Sequence, residues 1–198
     1  MKNSLILILA LMMSVSVASQ AYKADIKKEA QTYYDHLTNK NFDAIFDYMY
    51  PKIFELASRE QMRAGMEQMF NGKDMKIEFI ANDVVSVTDT MEVKGVTYAA
   101  VFYNSKMRMT FLSEKDKPEA ERKEFLKLMQ STMETQFGQA NVISELENMA
   151  LVINMDANMF AIKDPQYEGW KFIGNDDSMK PLVDSVIPET VRTGLMEN

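Results

Sequence analysis

Apolar positions first recur at helical spacing. Ile26, Ala30, Tyr33, Tyr34 and Leu37 fall three to four residues apart, with Lys27, Lys28, Glu29 and Gln31 on the other side. That pattern predicts an amphipathic helix. Asn39-Lys40-Asn41 breaks it, and Phe42–Met49 reads as a short second helix with Asn41 as N-cap and Ile45, Phe46 and Met49 on one face. Pro51, which cannot donate into a helix, closes it. Ser58-Arg59-Glu60-Gln61 has the spacing of a capping box, so a third helix is expected over 58–70, burying Met62, Met66, Met69 and Phe70. Asn71-Gly72 ends it.

The period then changes from helical to alternating. Ile77, Phe79 and Ala81 alternate with polar neighbours, and Val84, Val85 and Val87 continue the extended segment. Glu92–Gly95 reads as a turn. Val96–Tyr103 and Met107–Leu112 read as two strands of a hairpin joined by Asn104-Ser105-Lys106. Phe125, Met129, Met133 and Phe137 recur every fourth residue in a charged stretch, predicting a long helix over 118–137 that stops at Gly138. Strands are expected again at 143–155, 159–163 and 170–174, and a short helix after Pro188. Three helices, three strands, a helix and three strands make an α+β fold. The short connections require an antiparallel sheet, of about five to six strands.

Ahead of the first helix the pattern is of a different kind. Lys2 is followed by the apolar run Leu5–Val17, broken only by Ser14 and Ser16, and then by small residues. Val17-Ala18-Ser19 and Ser19-Gln20-Ala21 both offer a signal peptidase its small pair. Residues 1–21 are therefore expected to be a cleavable secretory leader, and residues 22–198 a single exported domain, periplasmic or secreted, without a stable membrane anchor. The apolar run of 13 residues falls short of the roughly 20 that span a bilayer.

Composition narrows the chemistry. The formal charge is −7, or −8 once Lys2 leaves with the leader. Such a chain repels nucleic acid, which is not an expected partner. There is no cysteine, so neither disulfides nor thiolate chemistry are available, and the core alone must hold the fold. Seven glycines without a phosphate-binding loop, and no nucleophile elbow, imply no cofactor. The single histidine, His36, lies beside the first helix's apolar stripe without a companion ligand, so no metal site is expected. The chain is methionine-rich, with 18 in all. Their placement (Met62, Met66 and Met69; Met107 and Met109; Met129 and Met133) matches core-facing positions, or an adaptable apolar pocket, better than a copper site.

The segment YYDHLTNKNFDAIFDYMYP in a helical N-terminal third, a run of long strands, and the closing MFAIKDPQYEGWKFI together resemble the nuclear transport factor 2-like superfamily of cystatin-like α+β cones. Within it the chain looks like uncharacterised exported bacterial members. The resemblance covers roughly residues 24–175, and the helix at 118–137 stands as an insertion where the family pattern has a turn. It implies a strongly curved sheet wrapped around the N-terminal helices, forming a cone that can hold a pocket. Family members include isomerases, dehydratases and hydrolases as well as non-catalytic binding domains, so the fold does not choose among functions.

An aromatic-lined cavity for a small hydrophobic ligand or a protein partner is the leading expectation, with Tyr34, Tyr48, Tyr98, Tyr103 and Trp170 as candidate lining residues and none as a catalytic residue. The rival is an isomerase- or dehydratase-like enzyme using a buried carboxylate and a tyrosine, for which Asp35, Asp43 and Asp47 are raw material. The resemblance supplies the pattern for that rival: ketosteroid isomerase, which shares the superfamily fold, sets an Asp base opposite a Tyr and a protonated Asp. A pure interaction or homodimerisation module is the third expectation.

Overall fold

The computed structural model describes residues 21–196. The leader expected over residues 1–21 lies outside them, apart from its last position. The described residues open with helix α1 over 21–38, followed by α2 (Phe42–Tyr48), a 3-10 turn (Pro51–Glu55) and α3 (Arg59–Asn71). Strands β1 (Met75–Val87), β2 (Met91–Val93) and β3 (Val96–Phe111) come next, then α4 (Glu119–Phe137). Strands β4 (Val142–Glu145), β5 (Ala150–Lys163) and β6 (Lys171–Gly174) lead to α5 (Lys180–Val186) and α6 (Glu189–Met196). The fold is α+β, with the helix at 119–137 inserted between the strands.

Local chemistry explains most of the boundaries. Asn41 caps α2 by accepting the Ala44 N–H, and Ser58 and Gln61 close a reciprocal capping box on α3. Each satisfies backbone donors that a helix start leaves orphaned. Lys94 and Gly95 both have positive φ, +53° and +79°, as the tight turn between β2 and β3 demands.

The sheet is open, six-stranded, curved and antiparallel, with order β1-β3-β5-β4; β2 extends along β3 and β6 along β5. Its core is the ladder between β3 and β5, which runs from Thr97 opposite Lys163 to Thr110 opposite Ala150. Odd-numbered residues of both strands share one face. At one end Ala99, Val101, Met159 and Ala161 pack against Ile26, Ala30 and Tyr34 of α1. At the other end Met107, Phe111, Leu151 and Ile153 pack against Leu126 and its neighbours on α4. On the even face at the first end, Tyr98, Ala100, Phe160 and Ile162 meet Leu182, Val183, Val191 and Leu195 of α5 and α6.

Three expectations are corrected. Asn104-Ser105-Lys106 is no turn: β3 runs straight through it, with Asn104 between Asp83 and Asp156, and Ser105 between Asn82 and Met155. Asn104 and Lys106 lie where the even face meets solvent, while Ser105 between them is buried on the odd face. Asp156-Ala157-Asn158 likewise lies inside β5, and the chain reverses earlier, at Leu146–Met149. Glu92 is paired in β2, so the expected turn at Glu92–Gly95 shrinks to Lys94-Gly95. Helix α5 had no signal strong enough to separate it from the loop before Pro188.

Two glycines test these assignments in opposite directions. Gly65 sits exposed within α3 with nothing near a would-be Cβ, so Gly65→Ala should stabilise by about 0.5–1 kcal/mol. Gly95 has open space too but a left-handed backbone, so Gly95→Ala should cost about 1–2 kcal/mol. Thermal melts of the two variants should move to opposite sides of the parent.

Candidate functional site

Helices α1 and α4 cover the odd face from its two ends and leave its middle uncovered. The gap is a partly open cleft of about 940 Å³. Tyr103 and Ser105 of β3, Met155, Ala157 and Met159 of β5, and Phe79 and Asn82 of β1 make its floor. Tyr33, Tyr34 and Leu37 of α1 form one wall, and Gln136 and Phe137 at the end of α4 the opposite one. A parallel bridge between Met49 and Phe172, with the Tyr50 N–H donating to the Phe172 carbonyl at 3.0 Å, carries Met49 and Ile53 to the edge. The loop Gly174–Met179 completes the rim.

The aromatic wall is continuous. Tyr34 lies 4.4 Å from Tyr103, ring centre to ring centre, and Tyr33 lies 5.1 Å from Tyr34 and 5.8 Å from Phe172. The Tyr34 hydroxyl sits 3.3 Å from the Met159 sulfur. Burial disfavours the phenolate and raises the pKa of Tyr33, Tyr34 and Tyr103, all three above their ordinary value. The neighbouring Tyr103 adds to the effect at Tyr33 and Tyr34, and the Asp176 carboxylate adds to it at Tyr103.

At the rim, one Asp176 oxygen accepts the Ser178 N–H at 2.9 Å and the Met179 N–H at 3.3 Å, shaping the turn into α5. Asp177 also borders the cleft, Asp156 of β5 touches it while pairing with Asn104 on the even face, and all three aspartates are exposed. Among the described residues no lysine, arginine or histidine lines it.

The five candidate lining residues divide. Tyr34 and Tyr103 stand in the cleft. Tyr48 stacks on Phe172 from outside it, beside a shallower depression of about 440 Å³ next to Trp170. Trp170 itself is core: its indole N–H donates to Asp25 at 3.2 Å and its backbone N–H to Glu29 at 3.1 Å. Tyr98 is buried on the opposite face of the sheet under α5 and α6. Asn82, Ser105 and Met159 were not anticipated, because a polar pair inside strands carries no signal of burial in a single sequence.

The carboxylates considered for acid–base chemistry lie elsewhere. Asp43 is paired with Arg63 and Asp47 with Arg59, both at the surface. Asp35 accepts from Gln31 at 3.1 Å on the exposed side of α1. One buried carboxylate does sit beside a tyrosine: Asp164, 3% exposed, accepts the Tyr50 hydroxyl at 3.1 Å and the Gln166 N–H at 3.0 Å. Burial and this bond raise the Tyr50 pKa. The pair pins the β5–β6 turn on the Tyr98 side of the sheet and does not line the cleft. Among the described residues there is no group of three or more side chains placed to hold a metal ion, and no helix is long and apolar enough to cross a membrane.

No protein-family model matches the chain, and no curated protein matches it.

The buried phenols make alkaline pH a probe of the cleft wall. A phenol whose folded pKa exceeds its unfolded value stabilises fully below about pH 10, and that contribution drains away as the pH rises further. Each such group steepens the loss by up to about 1.4 kcal/mol per pH unit. Melting temperature against pH, followed through the alkaline range, should therefore fall less steeply for Tyr34→Phe than for the parent protein. Parallel curves would mean that Tyr34 ionises as freely in the folded chain as in the unfolded one.

Proposed function

We propose that this is an exported binding protein whose cleft holds a small, predominantly apolar ligand. The observation that carries the reading is the cleft of about 940 Å³ between α1, α4 and the sheet, lined by Tyr33, Tyr34, Phe79, Tyr103 and Phe137. Ligand sites are concave, mostly apolar and furnished with a few convergent polar groups, and this cleft has that make-up. The resemblance to nuclear transport factor 2-like proteins supports the same reading, since it implies a pocket between helices and a curved sheet. The leader expected at residues 1–21 supports export.

The geometry favours binding over acid–base catalysis. A general base in such a fold needs a carboxylate in dry surroundings with its pKa pushed up. The carboxylates bordering the cleft are exposed, and the buried one, Asp164, is on the far side of the sheet with both oxygens engaged.

Diphenylhexatriene, a hydrocarbon dye that brightens in apolar surroundings, tests the cleft by shape alone. The purified protein should bind it saturably. Ala157→Trp, which fills the floor, should weaken binding by about tenfold or more while leaving a cooperative melt. Absent binding, or binding indifferent to the tryptophan, would sink the reading.

A further inference from the structure

The floor of the cleft holds two polar side chains in an otherwise apolar setting. Asn82 is 5% and Ser105 4% exposed. Their hydrogen bonds fix which atoms face which. The Thr38 hydroxyl donates its one proton to the Tyr34 carbonyl at 3.0 Å, so towards Asn82 it can only accept. Asn82 therefore turns its amide nitrogen to Thr38, at 3.3 Å, and its oxygen to the Ser105 hydroxyl, which donates at 2.7 Å. Gln31 clamps the same stretch of β1, donating to the Asn82 carbonyl at 2.9 Å and accepting the Val84 N–H at 3.1 Å. Within the protein this leaves one Asn82 amide N–H and the lone pairs of the Ser105 oxygen uncommitted: one donor and one acceptor side by side.

We propose that Asn82 and Ser105 read an uncharged head group that both accepts and donates a hydrogen bond, so that the cleft selects neutral amphiphiles such as long-chain alcohols and primary amides. This rests on the binding reading above and adds its ligand class. An alcohol oxygen or an amide carbonyl accepts from Asn82, while the alcohol O–H or the amide N–H donates to the Ser105 oxygen. A fatty-acid carboxylate placed there meets no cationic side chain and is opposed by Asp176 and Asp177 at the rim. An alkylammonium is attracted by that rim, but the carboxylates are exposed at the mouth and none is at the floor. Seated head-first, it is a buried charge without a counterion; seated tail-first, it buries hydrocarbon against two unsatisfied polar groups.

Displacement of diphenylhexatriene from the purified protein at neutral pH by decanol, decanamide, decanoate and decylamine separates these cases at constant chain length. Decanol and decanamide should compete at concentrations about tenfold below the two ions. Ser105→Ala should lose about three- to tenfold in decanol affinity beyond whatever it loses for the dye. Asn82→Asp, which puts a charge on the floor, should move the preference to decylamine; if that variant does not fold, the Ser105 comparison decides. Decanoate or decylamine matching decanol on the parent protein, or Ser105→Ala lowering dye and decanol alike, would overturn the assignment while leaving the cleft a binding site. Failure of the dye itself to bind would remove both.

Discussion

The ladder between β3 and β5 is the constraint on which the rest depends. Its strands alternate faces with period two, so every odd residue from Ala99 to Phe111 and from Leu151 to Ala161 is committed to one side. That side is apolar along nearly its whole length, far longer than either helix can cover alone. Helix α1 takes the end at Ala99 and Val101, and α4 the end at Met107 and Phe111. The cleft is what two covers leave between them. The even side is sheltered over Tyr98–Phe102, where α5 and α6 lie; Asn104 and Lys106 then face water in mid-strand, and Thr110, Ala150 and Val152 are buried again at the far end.

Strand β1 solves a problem of phase. Ile77 and Phe79 face the odd side as an alternating strand requires, but the register slips between Phe79 and Ala81 and again between Val84 and Ser86. The extra residues are Ile80 and Val85, both turned outward and exposed. Each slip inverts which positions point in. Between the two bulges the even residues Asn82 and Val84 face the cleft side, and after the second Val87 does. Without the first bulge Ala81 and Asp83 would occupy the floor and Asn82 would lie in solvent. A strand that bulges twice within 13 residues to bury an asparagine gives up apolar contact for a polar one, and the partners on α1 keep that from being a simple loss.

What could be read from the chain follows from the same physics. Helical periods are long and redundant, so α1, α2, α3 and α4 were legible from Ile26–Leu37, Asn41, the Ser58–Gln61 box and the Phe125–Phe137 stripe. The alternation of strands is short and easily interrupted. Asn104-Ser105-Lys106 has the composition of a turn, and only pairing on both sides keeps it extended. Reading Ile77, Phe79 and Ala81 as one face fails at Ala81 because a bulge leaves no compositional mark. For the cleft, Tyr34 and Tyr103 were legible as aromatic positions facing inward. Trp170 and Tyr98 satisfy the same criterion yet pack in solid core, since one sequence does not say where two covering helices stop.

The methionines bear on the proposed selectivity. Met49, Met155, Met159 and Met179 border the cleft, from three different segments of the chain. Unbranched thioether side chains adapt to the shape of what they touch and discriminate weakly among apolar surfaces. Aromatic rings on the opposite wall are rigid but equally indifferent to the identity of a hydrocarbon. Walls of this kind supply affinity in proportion to area, not chemistry. Discrimination must then come from directional groups held in fixed orientation, and in the floor the chain from Tyr34 through Thr38 and Asn82 to Ser105 has that character. On the proposed binding reading the division of labour follows: tolerant walls would admit a range of apolar bodies, and a hydrogen-bonded pair set by two bulges and one helix would decide which head group they end in.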